Sequence, residues 1–193
     1  MNNRIYLSPP HMGEKEKELL INAFDSNWIA PLGPHVNSFE EEIAEYLDVK
    51  YAAALNSGSS ALHLALKVSG VKEGDKVLCP TFTFSATANV VMYEKAQPIF
   101  LDSDPNTWVV DLKTLDKAIS EHKPKAFIPV DIYGQSCDYD TILNICNQNN
   151  VIVIEDAAEA LGALYKDQKC GSLGEIGILS FNGNKIITTS GGG

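Results

Sequence analysis

From residue 51 onward, short runs of apolar residues alternate with longer segments in which apolar side chains recur every three or four positions. The short runs are typical of strands buried on both faces, and the wider spacing is typical of amphipathic helices. The runs predict strands over 51–55, 76–79, 98–101, 126–130, 151–154, 177–181 and 186–189. The spacing predicts helices over 59–68, 85–93, 112–119 and 139–147. This alternation predicts an α/β fold, with a mostly parallel sheet covered by helices on both faces.

One edge of such a sheet is where ligands are expected. Right-handed crossovers bring the carboxyl ends of parallel strands together, and open α/β proteins bind their ligands at those ends. We therefore expect the chemically important side chains in the loops that follow the strands.

The first fifty residues follow a different pattern, which predicts helices without strands between them. Leu19, Leu20 and Phe24 lie on one face of a helix predicted over 14–26, and a second helix is predicted over 36–47. Two prolines and a glycine interrupt the pattern over 27–34. We expect an N-terminal arm with helices over 1–50 and a larger α/β domain over 51–193.

Composition excludes several classes of protein. The 193 residues carry a net charge of −10 and show no clustered basic segment of the kind that nucleic-acid binding requires. No apolar run approaches the ~20 residues of a membrane span, and the N-terminus lacks a signal-peptide core. We therefore expect a soluble, cytoplasmic protein with no nucleic-acid and no membrane partner.

The cysteines and histidines do not suggest a metal site. Cys79, Cys137, Cys146 and Cys170 lack the paired spacing of zinc or redox motifs, so single buried or partly buried thiols are expected. The four histidines show no ligand spacing with one another or with acids. No metal is predicted.

A turn rich in glycine and serine opens the first helix of the α/β region. Gly58 permits close backbone approach, and the free amides at a helix start, at Gly58 and Ser59, favour an anion such as a phosphate. The alternative is an ordinary strand-to-helix turn with a serine cap. The spacings of the dinucleotide-binding and P-loop motifs are absent, so neither motif is supported.

Two acids follow the apolar run at 151–154. Asp156 is expected at the ligand edge, where a buried carboxylate needs a cation or a donor, such as a protonated pyridine ring. Glu159 follows three residues later, so in a helix it would lie on the same face as Asp156. The alternatives are that Asp156 caps the next helix and that Glu159 is simply exposed.

One lysine and two aromatic residues complete the candidate set. Lys185 lies in a loop of small residues, where partial burial near other cations would make its amine nucleophilic, and a solvated loop lysine is the alternative. Phe82 and Phe84 follow the strand predicted at 76–79, where one of them could stack on a planar ring. Core packing of these aromatic side chains is the alternative.

The order of these segments resembles the DegT/DnrJ/EryC1/StrS family of pyridoxal-phosphate sugar aminotransferases along essentially the whole chain. The matching segments are 8–13, 29–33, 56–66, 154–158 and 180–185. The resemblance implies the large domain of the aspartate-aminotransferase-like, fold type I enzymes, which bind pyridoxal 5'-phosphate.

The resemblance also implies roles for individual residues. Lys185 would be the catalytic residue and would bind the cofactor as a Schiff base, while Asp156 would pair with the pyridine nitrogen. The amides of Gly58 and Ser59, with the hydroxyl of Ser180, would hold the phosphate.

The same resemblance implies which residues contact the cofactor ring and which substrate the protein uses. Phe84 would stack on the cofactor ring, with Phe82 as second choice, and Glu159 would contact the cofactor. Glutamate at 159 resembles a subgroup that transfers an amino group from L-glutamate to UDP-N-acetyl-4-keto-6-deoxyglucosamine, on the route to diacetylated bacillosamine for protein glycosylation. Lysine at 185, where a dehydratase branch has histidine, argues against that branch. The substrate-contacting loop of the subgroup is matched by Asn27, Trp28, Ile29 and Ala30.

The resemblance further implies a C-terminal domain and a homodimer whose second subunit completes the active site. Because the triglycine at 191–193 follows a predicted strand with no terminal helix after it, we expect a truncated chain or a gene fragment. A chain that binds the cofactor or a partner without turnover is therefore the alternative to an active aminotransferase. A Rossmann-type nucleotide binder would also fit the strand–helix alternation, although its fingerprint is missing.

Overall fold

The computed structural model describes residues 4–5 and 9–193, so Ser8 of the family-matching segment 8–13 lies outside the described residues. The chain divides into two compact units, which meet in sequence between Ala54 and Leu55. In the first unit the described helices are α1 (Glu14–Asp25) and α2 (Pro34–Leu47). Both helices agree with the predicted ones to within two residues. Proline suits the start of α2 because its fixed φ is already helical. A backbone N–H at this position would have no intrahelical acceptor, so its absence in proline costs no hydrogen bond.

The second unit is built on a five-stranded parallel sheet. Its strands are β1 (Lys76–Pro80), β2 (Gln97–Leu101), β3 (Ala126–Phe127), β4 (Ile152–Asp156) and β7 (Ile176–Ile178), and they lie in the order β2-β1-β3-β4-β7. A separate antiparallel pair consists of β5 (Leu164–Tyr165) and β6 (Gln168–Lys169). The helices of this unit are α3 (Gly58–Val68), α4 (Ala86–Tyr93), α5 (Leu115–His122) and α6 (Tyr139–Gln148). The predicted α/β fold with a mostly parallel sheet is confirmed.

The core of the second unit packs α3 and α4 against the sheet. Leu66, Val77, Val90 and Ile128 are fully buried in one apolar cluster that joins these elements. Burial of each such side chain contributes roughly 1.5–3 kcal/mol. This packing fixes the start of α3 and of α4 against the carboxyl ends of the strands.

Several predicted strands are shorter than expected or absent. Residues 51–55 form no strand; Leu55 instead exchanges two backbone hydrogen bonds with Gly193, at 2.7 and 3.1 Å. Residues 186–189 form turns and bends rather than a strand. The strand predicted at 126–130 ends at Phe127, because Pro129 has no amide hydrogen for the ladder.

Other differences arise from local turn chemistry. The helix predicted at 112–119 begins as a 3₁₀ turn, because the carboxylate of Asp111 accepts the amide of Lys113, and the α-helix proper runs on to His122. The pair β5 and β6 was not predicted, since two-residue strands carry no periodicity. A two-residue turn joins them, in which Lys166 has a φ of 55°.

Two expectations from composition can be compared with the structure. All four cysteines are unpaired and buried, as expected. Among the helices in the described part of the chain, none has both the length and the apolarity to cross a membrane.

Candidate active site

Five parts of the second unit, including the segment after β3 with Val130 and Ile132, meet around a cavity of about 360 Å³ at the carboxyl edge of the sheet. The start of α3, the segment between β1 and α4, the end of β4 and the loop after β7 all contribute to its lining. Residues that lie far apart in the sequence are therefore brought together here. The lining includes all the residues that the sequence predicted for the cofactor, namely Gly58, Ser59, Phe84, Asp156, Glu159, Ser180 and Lys185.

One end of the cavity offers donors for an anion. Ser57 caps α3, and its Oγ accepts the amide of Ser60 at 3.1 Å. The amides of Gly58 and Ser59, at the first helical positions, have no intrahelical acceptor. Ser180 lies directly opposite, since a Cβ added to Gly58 would come within 3.1 Å of the Ser180 Cβ. A side chain at 58 would therefore require Ser180 to move away from the helix start by a few tenths of an ångström.

The triglycine at 191–193 belongs to the same part of the site. Gly191 and Gly192 line the cavity. A Cβ on Gly193 would lie 2.2 Å from the backbone nitrogen of Gly58, so a larger residue cannot occupy this position without a shift of the backbone. Sequence reasoning missed this role, because three glycines in a row carry no periodic signal.

Asp156 is the buried acid of the site, and it is only 4% exposed. It accepts a hydrogen bond from the hydroxyl of Thr87 at 3.0 Å and one from the amide of Ala158 at 3.3 Å. Burial raises the pKa of Asp156, while Thr87, the Ala158 amide and the positive charge of Lys185 act against that rise. Residues 157–160 form no helix, so Asp156 does not cap one. It is placed to face a cation in the cavity.

Lys185 is not a solvated loop lysine. Its side chain is 13% exposed, and its Nζ lies 3.2 Å from Oε1 of Glu159. The other oxygen of Glu159 accepts the amide of Tyr133 at 3.0 Å. Tyr133 has a φ of 52°, a left-handed conformation that is costly for a residue with a side chain. Glu159 thus links the lysine to a strained turn beside the cavity.

The two candidate aromatic residues have different surroundings. Phe84 lines the cavity and is 71% exposed, so its ring is available to a ligand. Phe82 instead packs edge-to-face with Trp108 and Tyr133, at centroid distances of 6.1 and 6.3 Å. The structure therefore supports Phe84 over Phe82 as the residue that contacts a planar ring.

A pair of fully buried acids, Asp131 and Glu155, lies in the protein interior and was not predicted. Oδ1 of Asp131 accepts the amide of Cys137 at 2.9 Å and the hydroxyl of Tyr139 at 3.2 Å. Burial, together with the nearby charge of Glu155, raises the pKa of Asp131 to about 7. Asp131 is therefore protonated at moderately acidic pH.

A metal ion is a poor fit to this pair, although Cys170 adds a third possible ligand and the three ligand atoms lie within 4.8 Å of one another. The carboxylate of Glu155 already accepts three backbone amides, and their positive ends oppose a cation. Oδ2 of Asp131 has no hydrogen-bond partner among the described atoms. The three amides belong to Gly171, Leu173 and Gly174.

The predicted substrate loop lies in the first unit, whereas every residue that lines the cavity lies in the second. Trp28 is 50% exposed, and its indole covers Gly33, where an added Cβ would come within 2.9 Å of the ring. Asn27 has a φ of 61°, and its amide donates to the Phe24 carbonyl. The role of Asn27, Trp28, Ile29 and Ala30 remains a prediction.

The second unit carries a largely buried lysine, a buried aspartate and a helix start at the carboxyl edge of a parallel sheet, and its fold matches that of solved aminotransferases. The chain belongs to the DegT/DnrJ/EryC1/StrS aminotransferase family, whose sequence model matches residues 10–193.

Individual relatives agree with this assignment. EpsN of Bacillus subtilis (strain 168), provisionally described as a pyridoxal phosphate-dependent aminotransferase, is 57% identical over 198 residues, which cover 100% of this chain and 51% of EpsN. The GDP-perosamine synthase of Caulobacter vibrioides is 44% identical over 98% of this chain and 51% of its own length. The chain spans about half the length of the curated relatives it matches.

The fold also matches solved structures of the family. The sugar aminotransferase Spr1654 from Streptococcus pneumoniae, a provisional assignment, superimposes in its PMP form with a TM-score of 0.93 at 31% identity. The superposition covers 98% of this chain and 51% of that one. The PLP form of the same protein has the same TM-score.

Proposed function

We propose that the protein is a pyridoxal-phosphate-dependent aminotransferase that moves an amino group from L-glutamate to the keto group of a nucleotide-linked sugar. The observation that carries this proposal is the convergence of Lys185, Asp156 and the close pair of Gly58 and Ser180 around one cavity. Membership of an aminotransferase family supports the same conclusion.

The residues of the cavity fit pyridoxal 5'-phosphate. The close pair of Gly58 and Ser180 forms a cradle that any Cβ at 58 would fill, and together with the Ser59 amide it suits a phosphate. The exposed ring of Phe84 suits the face of a pyridine, and buried Asp156 suits its protonated nitrogen. When bound, the cofactor supplies an electron sink for carbon–nitrogen chemistry.

The residues of this chain would contribute nucleophilicity, proton transfer and charge. The amine of Lys185 would bind the cofactor covalently and then carry protons between its Nζ atom and the substrate as a general acid and base. Glu159, 3.2 Å away, would hold the lysine side chain in the cavity whenever it is not bonded to the cofactor. The low exposure of Lys185 and Asp156 would limit access of bulk water.

For the acceptor we propose UDP-N-acetyl-4-keto-6-deoxyglucosamine, which would give the 4-amino sugar and 2-oxoglutarate. Glu159 and the segment Asn27–Ala30 support this choice by their similarity to the corresponding subgroup. A relative in Pseudomonas aeruginosa, named UDP-2-acetamido-2-deoxy-3-oxo-D-glucuronate aminotransferase, is 38% identical over 162 residues. The product would serve bacillosamine formation and protein glycosylation, or polysaccharide biosynthesis as the name of the relative SpsC suggests.

A GDP-linked keto sugar is the second candidate acceptor. It is favoured by three relatives named GDP-perosamine synthase, which are 44%, 42% and 36% identical to this chain. We further propose that the protein acts as a homodimer in the cytoplasm, as the family resemblance implies.

The experiment that tests the activity should use the longest natural polypeptide that contains residues 1–193. The protein is loaded with pyridoxal phosphate and incubated with L-glutamate and either the UDP-linked or the GDP-linked 4-keto-6-deoxy sugar, and the amino sugar is measured by mass spectrometry. We expect an amine product from the UDP sugar and none from a Lys185→Ala variant. Product from the GDP sugar alone would replace the proposed acceptor, and no product from either sugar would overturn the proposed function.

A further inference from the structure

A row of hydroxyl groups leads from the cavity to the buried carboxylate of Asp156. Thr83 lines the cavity, and its Oγ1 lies 2.8 Å from Oγ1 of Thr87. Thr87 is fully buried in the first turn of α4, and its Oγ1 lies 3.0 Å from Oδ2 of Asp156. These contacts join the start of α4 to the end of β4.

Each threonine hydroxyl has a single hydrogen, and this determines which group donates in each hydrogen bond of the row. An ionised carboxylate can only accept, so Thr87 must donate its single hydroxyl hydrogen to Asp156. Thr87 can then only accept from Thr83, which must donate in turn. The other acceptor near the Thr83 hydroxyl, the carbonyl oxygen of Phe84, is more distant at 3.3 Å.

Thr87 counteracts the effect of burial on Asp156. Burial raises the pKa of Asp156, and the hydrogen bond from Thr87 is the largest contribution that lowers it. Hydrogen bonds to a charged acceptor are roughly twice as strong as those between neutral groups. A protonated pyridine nitrogen needs an ionised carboxylate as its partner, so the hydroxyl supports the charge state that the site requires.

We propose that Thr87 is a positioning residue that keeps Asp156 ionised and oriented toward the ring nitrogen of the cofactor, and that Thr83 orients the Thr87 hydroxyl. The inference rests on the proposed function, because it takes Asp156 to face that nitrogen. Thr87 acts through Asp156 and not on the reacting atoms.

The test compares cofactor binding by Thr87→Val, which removes the hydroxyl at nearly constant volume, and by Thr87→Ser, which keeps it. The dissociation constant for pyridoxal phosphate is measured by absorbance from about pH 6 to pH 9. We expect Thr87→Val to bind about tenfold more weakly at pH 6, equivalent to about 1.4 kcal/mol. The difference should shrink as the pH rises, because Asp156 then ionises without help. Thr87→Ser should stay within about threefold of the wild type throughout.

A second variant, Thr83→Val, leaves the contact between Thr87 and Asp156 in place and carries the test if Thr87→Val does not fold. It should weaken binding by about two- to threefold with the same pH trend. Wild-type affinity of Thr87→Val at pH 6, equal losses in Thr87→Ser and Thr87→Val, or an unchanged Thr83→Val would each overturn the inference. Failure of the wild-type protein to bind the cofactor would overturn the proposed function as well, which separates the two outcomes.

Discussion

Nζ of Lys185 lies 3.2 Å from Oε1 of Glu159, while Oε2 of Glu159 accepts the amide of Tyr133 at 3.0 Å. A single carboxylate thus contacts two groups. It holds the side chain of the candidate catalytic lysine, and it accepts the amide of a turn whose backbone conformation is unfavourable. The two contacts can be separated by substitution, because glutamine keeps an acceptor oxygen and loses the charge.

Substitutions of Glu159 should separate these two contacts in amide hydrogen exchange. Glu159→Ala removes the acceptor for the Tyr133 amide, so its exchange should accelerate by about fivefold, since such a hydrogen bond contributes roughly 1 kcal/mol. Glu159→Gln should leave that exchange near the wild-type rate. Equal acceleration in both variants would show that the turn depends on the ion pair with Lys185 and not on the acceptor oxygen.

Gly58→Ala should weaken the binding of pyridoxal phosphate. The added Cβ would lie 3.1 Å from the Ser180 Cβ and 3.3 Å from the Leu179 carbonyl oxygen, which narrows the anion cradle. We expect at least a tenfold higher dissociation constant, or about 1.4 kcal/mol. Binding of pyridoxal, which lacks the phosphate, should change much less.

Gly183→Ala is the matched control for Gly58→Ala. An added Cβ at Gly183 meets no atom within 4 Å, so cofactor binding should stay at the wild-type level. Similar losses in both variants would mean that the effect comes from the loss of glycine flexibility and not from the approach of Ser180.

Asp131 should make stability decrease with rising pH over a defined window. Its pKa is raised from 3.8 to about 7, mainly by burial. Between these values Asp131 is ionised in the unfolded chain and protonated in the folded one, so the folded state binds more protons. The contribution of Asp131 to the free energy of unfolding then falls by up to about 1.4 kcal/mol per pH unit. Below about pH 4 and above about pH 7 the contribution is constant.

Asp131→Asn should remove this dependence. Its side chain cannot ionise in this range, and its amide oxygen can still accept from the Cys137 amide and the Tyr139 hydroxyl. In urea unfolding, the stability of the variant relative to the wild type should rise between pH 4 and pH 7. A constant difference over that range would contradict the account. Asp131→Ala, which loses both acceptor contacts, should be less stable at every pH.

The order of strands and helices can be predicted from the sequence wherever hydrophobic periodicity is strong. The strands β1, β2 and β4 are buried apolar runs, and the structure places them within two residues of the predicted positions. The run at 51–55 is equally apolar but forms no strand, because within the described part of the chain its backbone pairs with another segment at Leu55 alone, which bonds to Gly193. Whether an apolar run joins a sheet depends on the partner that the tertiary fold provides.

The candidate site could be predicted in part for a related reason. Asp156 and Gly58 adjoin elements with clear boundaries, so the topology of parallel strands brings them to one edge. The approach of Gly58 to Ser180 and the pairing of Asp131 with Glu155 depend on strand register and loop conformation, which periodicity does not specify. The same holds for the contact between Thr87 and Asp156, since a threonine inside an apolar helix gives no sign of its acceptor.

The central claim, that Lys185 binds pyridoxal phosphate in this cavity, can be tested directly by borohydride reduction of the cofactor-loaded protein and peptide mass mapping. We expect a pyridoxyl group on the peptide that contains Lys185, and we expect both this group and the visible absorbance band to be lost in Lys185→Ala. A pyridoxyl group on a different lysine, or a band that persists in Lys185→Ala, would contradict the account.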